Sequence, residues 1–495
     1  MASTFLGIDV GTSAVKAILL DERGAILAVG TAALALSTPR PGWAEQDPES
    51  WWQATVAAIR DVVALQPNAS VGAIGISGQM HSSVFLDRAG NVVRPALLWC
   101  DGRTTAECGE ITARAGGEDM LRLWVCNPAL EGFTLPKVLW LRNHEPDAYA
   151  RVATVLLAKD FIRYRLTGML ATEPSDASGT LMFDPTRLRW SDELLRAVGV
   201  PRAVLPPVGG SAEVLGTVTR AAAALTGIAD GLPVVGGGAD NACGAAGVGV
   251  VRPGEAVTSW GTSGTVLAPM AEPGVDPALR AHTFCHVVPR VWYLMGVMLS
   301  AGGAFAWYRD QFARELNRDG AGDAVLDEEA AAVPAGAEGI TFLPYLQGER
   351  TPHRDASARG ALVGLSLAHT RAHVTRAVLE GICFGLKDSL QILQSLGLSP
   401  RHLLVTGGGA RSRFVRQLQA DVFGLPVVTV NREEGPAYGA ALLAAVGAGA
   451  YPDLAAATAA TLTRGALEHP DASAHRAYDE PYRRFRALYP ALKAR

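Results

Sequence analysis

The chain opens on runs of apolar residues separated by glycine–hydroxyl turns. Phe5-Leu-Gly-Ile-Asp-Val10 reads as a buried strand, Gly11-Thr-Ser13 as a turn, and Val15-Lys-Ala-Ile-Leu-Leu20 as the returning strand. After a turn at Asp21-Glu-Arg-Gly24 a third strand runs over 25–29. The rhythm returns halfway along, where Glu255-Ala-Val-Thr-Ser-Trp260 leads into Gly261-Thr-Ser-Gly264 and then Thr265-Val-Leu-Ala268. Gly-Thr-Ser thus recurs at 11–13 and 261–263, each time between strand-like runs, which predicts two related halves facing each other.

Elsewhere the apolar spacing is helical. Trp51, Trp52, Val56, Ile59 and Val62 predict a helix over 48–63, and a long apolar-rich helix is expected over 372–393. Short interior strands at 71–77, 233–236 and 403–406 end at glycine turns. Strands alternating with helices predict α/β layers. The stretch 313–339 is charged and alanine-rich, and 449–474 reads as a similar connector before a C-terminal helix.

A length of 495 residues suits about three domains, or two of about 250 residues each. We expect two, an N-terminal domain over 1–248 and a C-terminal domain over 249–495. Hydrophobic residues at 49% and charged residues at 19% exclude extended disorder. A net charge of −4, with only five lysines (Lys16, Lys137, Lys159, Lys387, Lys493), argues against a nucleic-acid partner. No secretory pattern and no apolar run near 18 residues is seen, so a cytoplasmic protein without a membrane partner is expected. The six cysteines form no C-x-x-C pair and read as reduced, mainly buried thiols. His282, Cys285 and His286 cluster, but on a strand Cys285 faces away from both histidines, which argues against a metal site there.

No G-x-x-x-x-G-K-[ST] pattern occurs, which excludes the P-loop way of holding a triphosphate, and no G-x-S-x-G surrounds a serine. The glycine–hydroxyl turns at 11–13 and 261–263, with a third glycine turn at Gly407-Gly-Gly409, instead offer backbone N–H groups and hydroxyls to an anion. Asp9, at the end of the first strand, is placed to hold Mg²⁺ or its water shell between phosphates. In Gly236-Gly-Gly-Ala-Asp-Asn-Ala-Cys-Gly-Ala-Ala246, Asp240 begins a small-residue helix. There it fits an N-cap and a general base for a substrate hydroxyl equally well. Gln79 and His81 follow a buried strand, where open α/β sheets bind ligands, although a lone histidine is more often structural. Trp99-Cys-Asp-Gly-Arg103 suits a polyol, or else is a core tryptophan beside a surface ion pair.

These residues resemble the FGGY carbohydrate kinases, and within that family its xylulokinase branch, from about Phe5 to Ala445. Gly7-Ile-Asp-Val-Gly-Thr-Ser13 is similar to the first phosphate loop of the family. Gly132-Phe-Thr-Leu-Pro-Lys-Val-Leu-Trp-Leu-Arg-Asn-His144 matches the first family signature, and Gly360-Ala-Leu-Val-Gly-Leu365 with His373-Val-Thr-Arg-Ala-Val-Leu-Glu380 matches the second. Gly78-Gln-Met-His81, Trp43-Ala-Glu-Gln-Asp-Pro48, Lys159-Asp160 and Pro344-Tyr-Leu-Gln-Gly-Glu-Arg-Thr-Pro-His353 resemble xylulokinase segments. Ser82, Cys100 between Trp99 and Asp101, and Ala239 depart from the usual Gly, Asn and Gly.

The resemblance implies a two-domain, actin-like, ribonuclease-H-type α/β fold with an interdomain cleft. It implies ATP-dependent phosphorylation of D-xylulose at O5, with ATP and Mg²⁺ as cofactors and a homodimer as the assembly. Asp240 falls on the catalytic base. Met80, His81, Asp240 and Asn241 fall on the sugar contacts, with Trp99, Asp101 and Arg103 shaping the wall. Asp9 falls on the magnesium position. Gly11, Thr12, Ser13, Lys16, Gly261, Thr262 and Ser263 fall on the phosphate side, and Gly407, Gly408, Gly409 and Gly435 on the adenosine side. A kinase for another pentulose or polyol is the alternative, and a non-catalytic nucleotide-gated binding protein a remote one.

Overall fold

In the computed structural model, which describes residues 3–318, 322–431 and 435–493, two seven-stranded sheets carry the chain. In the first, β1 (Ser3–Val10), β2 (Ala14–Leu20) and β3 (Ile26–Ala33) form an antiparallel meander. β4 (Ser70–Gly78) lies parallel to β1 on its other edge. β5 (Val214–Thr217) runs antiparallel to β6 (Pro233–Val235), and β6 parallel to β4, giving the order β5-β6-β4-β1-β2-β3. β7 (Gly238–Ala239) pairs with the end of β4.

The second sheet repeats the plan. β8 (Val257–Trp260) runs antiparallel to β9 (Gly264–Met270), with β10 (His282–Cys285) and β11 (Trp292–Met298) continuing beyond β9. β12 (Leu403–Gly407) lies parallel to β8, β13 (Val427–Val430) parallel to β12, and β14 (Arg464–Glu468) closes the edge antiparallel. Both sheets therefore have an antiparallel trio, parallel strands added to the first strand, and an antiparallel edge. The Gly-Thr-Ser turns occupy the same position in each, between the first two strands, as their sequence repeat predicts.

Helices bury the sheet faces. α1 (Pro48–Leu65) seats Trp51, Ala58, Ile59 and Val62 against the first sheet, and Asp47 caps its N-terminus by accepting the Glu49 N–H. α2 (Asp240–Gly247) follows β7. α3 (Arg371–Ser395) covers the second sheet: a Cβ on Gly296 of β11 would stand 2.5 Å from Ser389 Cβ. α4 (Gly435–Gly447) starts in the second half but lies on the first sheet, where a Cβ on Gly7 would meet Ala437 O at 2.1 Å and one on Gly75 would meet Ala440 O at 1.9 Å. Only glycine permits this approach.

One expectation is corrected. The stretch 449–474 is not a plain connector, because it holds α5 (Leu454–Thr461), β14 and a short helix at Ala472–Ala477. Its sequence hides the first two of these elements. Leu-Ala-Ala-Ala-Thr-Ala-Ala-Thr has no amphipathic stripe, and β14 is an exposed edge strand without apolar alternation.

Candidate active site

The ends of β1, β4 and β7 bring the N-terminal candidates together. Asp9 sits opposite Lys16 across the β1–β2 pair and beside Ser77 across β1–β4. Burial raises its carboxyl to about pKa 6, against the Ser77 hydroxyl and the Lys16 charge, which lower it. Its Oδ1 is buried with no hydrogen-bond partner. Asp240 lies at the first position of α2, with Ala239 in the N-cap place, so it is not the cap. Its Oδ1 accepts the Asn241 N–H at 2.8 Å and Asn241 Nδ2–H at 3.0 Å. Burial, and then the nearby Asp9 charge, raise Asp240 to about 7. Two half-buried carboxylates that repel each other, one with an orphaned buried oxygen, fit a divalent cation, whose charge relieves both costs.

The wall beside Asp240 is set by Met80 and His81. Asn241 Nδ2 reaches Met80 Sδ at 3.5 Å, and the Tyr293 hydroxyl reaches the same sulfur at 3.8 Å. His81 adopts φ 68°, a left-handed conformation that costs a non-glycine residue about 1 kcal/mol or more. It is held there by the Thr134 hydroxyl, which donates to its carbonyl at 2.9 Å, and by the bond between its Nδ1 and the Gly179 carbonyl. A carbonyl only accepts, so Nδ1 carries the proton and Nε2 keeps a lone pair. Burial lowers the ring to about pKa 3, which keeps it neutral.

Hydrogen bonds join this wall to the first turn. Thr12 Oγ1 donates to Gln79 Oε1 at 3.2 Å and accepts Trp99 Nε1–H at 3.0 Å. Ser82 Oγ donates to Gln79 Oε1 at 3.1 Å and accepts the Trp99 N–H at 3.2 Å, so the departure at Ser82 braces both residues. Asp101 and Arg103 form a buried pair, not a surface one. Arg103 Nη2 lies 2.6 Å from Asp101 and Nη1 2.7 Å from Glu45, while Asp101 Oδ2 accepts the Ala44 N–H at 2.6 Å. The Arg103 guanidinium packs 3.6 Å from the Trp43 ring centroid. Cys100 is exposed and the other five cysteines are buried and free.

A cavity of about 540 Å³ runs from Asp240 and Asn241 past Gly244 to Thr406, Gly407 and Gly435. Gly408 and Gly409 stand outside its wall: Gly409 packs on Trp260, where a Cβ would lie 2.4 Å from Cε3. The turns Gly11-Thr12-Ser13 and Gly261-Thr262-Ser263 also lie outside it. Ser13, Gly261 and Thr262 are exposed, with the Thr262 carbonyl accepting from Ala301 and Gly303. His282 bonds Asn127 at 3.0 Å, whereas His286 packs on Tyr293, and no group of three metal-ligating side chains occurs among the described residues.

The short helix Pro174–Ser178 escaped sequence reasoning. Ser175 Oγ donates to Glu173 at 2.7 Å and accepts the Ala239 N–H at 2.9 Å, and Glu173 itself caps the helix. Gly179 follows, with its Cβ position only 2.8 Å from Met80 Cε and 3.1 Å from His81 Nδ1. The signal was a Glu-Pro-Ser-Asp start, an N-cap pattern too short to stand out.

Comparisons agree with this geometry. Models of the FGGY family of carbohydrate kinases match the chain, the N-terminal domain over residues 4–247 and the C-terminal domain over 256–448. Xylulose kinase of Bacillus subtilis is 39% identical over 490 residues, covering 99% of this chain and 97% of that one. Xylulose kinase of Escherichia coli is 40% identical over 494 residues, covering 99% of each. The crystal structure of xylulose kinase from Rhodospirillum rubrum superposes with a TM-score of 0.91 at 34% identity, covering 99% of each chain. The paired sheets and their cleft are thus the two-domain, actin-like, ribonuclease-H-type fold. With both domain models matched in order and nearly end to end, the chain belongs to the FGGY family of carbohydrate kinases.

Proposed function

We propose that the protein phosphorylates D-xylulose at O5 with ATP, giving D-xylulose 5-phosphate and ADP. The observation that carries this is the position of Asp240, which lines the large cavity while its neighbour Asn241 touches Met80 of the wall. In the proposed step Asp240 removes the O5 proton as O5 bonds to the γ-phosphorus and the bond to the bridging oxygen breaks, releasing ADP. A base near pKa 7 is matched to that task at neutral pH. Met80, neutral His81 and Asn241 orient the ketose. Trp99 faces it, with Asp101 and Arg103 holding the wall from within. Asp9 would hold Mg²⁺, which neutralises phosphate charge when bound. Gly11, Ser13, Lys16, Gly261, Thr262 and Ser263 serve the phosphates, and Gly407 to Gly409 with Gly435 the adenosine, while Thr12 braces Trp99. Residues 1–248 and 249–495 are taken as the two lobes. A cytoplasmic homodimer completes the proposal on the strength of the family resemblance, and light scattering tests the assembly.

Phosphorus NMR of products from D-xylulose, D-ribulose, L-ribulose, glycerol and D-arabitol tests the substrate. A 5-phosphate formed fastest from D-xylulose is expected. Faster turnover of another acceptor overturns the sugar assignment.

A further inference from the structure

The stretch 344–353, from Pro344 to His353, reaches the sugar wall from the second half of the chain and brings an arginine, Arg350, to it. Arg350 is partly buried, yet among the described residues its guanidinium makes no hydrogen bond and no ion pair. Its surroundings fix where it lies. A Cβ on Gly132 would stand 3.0 Å from Arg350 Nη2 and 3.2 Å from the Trp99 carbonyl oxygen, so the head group lies in the gap that Gly132 leaves beside Trp99. The loop forming that gap is built with care. Lys137 Nζ, wholly buried, donates to the carbonyls of Glu131, Gly132 and Phe133 at 2.9, 2.6 and 2.8 Å. Phe133 in turn packs edge-on against the His81 ring at 4.9 Å.

From Asp240 the wall therefore runs through Asn241, Met80, His81 and Phe133 to Gly132 and Arg350. If the reacting hydroxyl is at Asp240, the opposite end of the acceptor meets the guanidinium. An unpaired guanidinium beside the sugar wall has N–H groups free to donate to a ligand oxygen. Arginine only donates. With Glu131 and Glu349 already near the guanidinium, a neutral oxygen suits it better than a further carboxylate.

Ketopentose chemistry supplies that oxygen. The furanose ring of a 2-ketopentose closes through O5, so a molecule whose O5 is free to attack phosphorus is open-chain and carries its C2 carbonyl. A site for O5 transfer must then bind the carbonyl form. We infer that Arg350 is a specificity-determining residue that donates to the C2 carbonyl end of the open-chain ketose, an inference resting on the xylulose reading above. The contact joins the two halves through the substrate, since Arg350 comes from one half and the rest of the wall from the other.

The test is isothermal titration of the full-length protein with D-xylulose and with xylitol, its C2-reduced analogue, for wild type, Arg350→Met and Gly132→Ala. The second variant leaves the arginine in place but crowds its head group at 3.0 Å, shifting it within the gap. Wild type is expected to prefer D-xylulose. Each variant is expected to weaken D-xylulose binding roughly tenfold or more, to weaken xylitol binding less, and so to narrow the preference. ADP titration in parallel establishes that the second half of each variant is folded. Equal weakening of both ligands, or an unchanged preference, overturns the role given to Arg350. Wild type that binds neither ligand overturns the sugar reading itself, and with it this inference, before any variant is read.

Discussion

Gly439 of α4 lies so close to Cys243 of α2 that a Cβ on it would stand 2.0 Å from the Cys243 carbonyl oxygen. A second glycine answers it: a Cβ on Gly247 would stand 2.1 Å from the Gly435 carbonyl. The helix that begins at the cavity's Gly435 is thus bedded directly on the helix that begins at Asp240. Backbone, not a flexible side chain, is what an added methyl would strike, so the helices must separate. Gly439→Ala is expected to destabilise the protein by about 2 kcal/mol or more. It should also raise the KM for ATP, because the separation shifts Gly435 away from Asp240. Thermal melting and initial-rate kinetics check both, and an unchanged melting temperature would count against the close-packed seam.

Asp9 carries a pH signature. Its carboxyl titrates near 3.8 when unfolded and about 6 when folded. Between those values the unfolded chain has released a proton that the folded chain retains. Stability from this group therefore falls as pH rises through that window, and the full cost stands above it. Without Mg²⁺, Asp9→Asn should melt above wild type at pH 8, by an amount corresponding to about 3 kcal/mol, and by less at pH 4.5. Added Mg²⁺ should raise the wild-type melting temperature at pH 8 and leave that of the variant unmoved. The same shift at both pH values would contradict the electrostatic account.

Ser175 acts on Asp240 through one backbone bond. Its hydroxyl accepts the N–H of Ala239, the residue before Asp240, and is oriented by Glu173. Ser175→Ala is expected to lower kcat roughly tenfold with little change in either KM, since the loss falls on the aim of the base. Ser175→Thr keeps the hydroxyl and should recover most of kcat. A rise in sugar KM with kcat unchanged would place Ser175 in binding instead.

Much of this was legible in the chain. The strand–turn–strand repeats at 11–13 and 261–263 mark the two halves because buried strands and glycine turns are local signals. Asp9 was legible as a carboxylate at a strand end and Asp240 as one at the start of a small-residue helix. Their mutual repulsion was not, because it depends on β1 and β7 both flanking β4. The pairing of Asp101 and Arg103 with Glu45 was likewise hidden, since Glu45 lies far away in sequence. β14 was missed because an exposed edge strand carries no alternating pattern. Sequence periodicity reports burial along one element, whereas the site is made of contacts between elements.

The most direct measurement is ADP release by wild type and Asp240→Asn at saturating Mg-ATP and D-xylulose, followed from pH 6 to 8. Asparagine keeps the size of the side chain and removes the base. The account predicts that kcat falls roughly a thousandfold in the variant with KM for D-xylulose little changed. Wild-type turnover should rise with pH across the range as Asp240 loses its proton. A variant that turns over D-xylulose at the wild-type rate would contradict the assignment of Asp240 as the base.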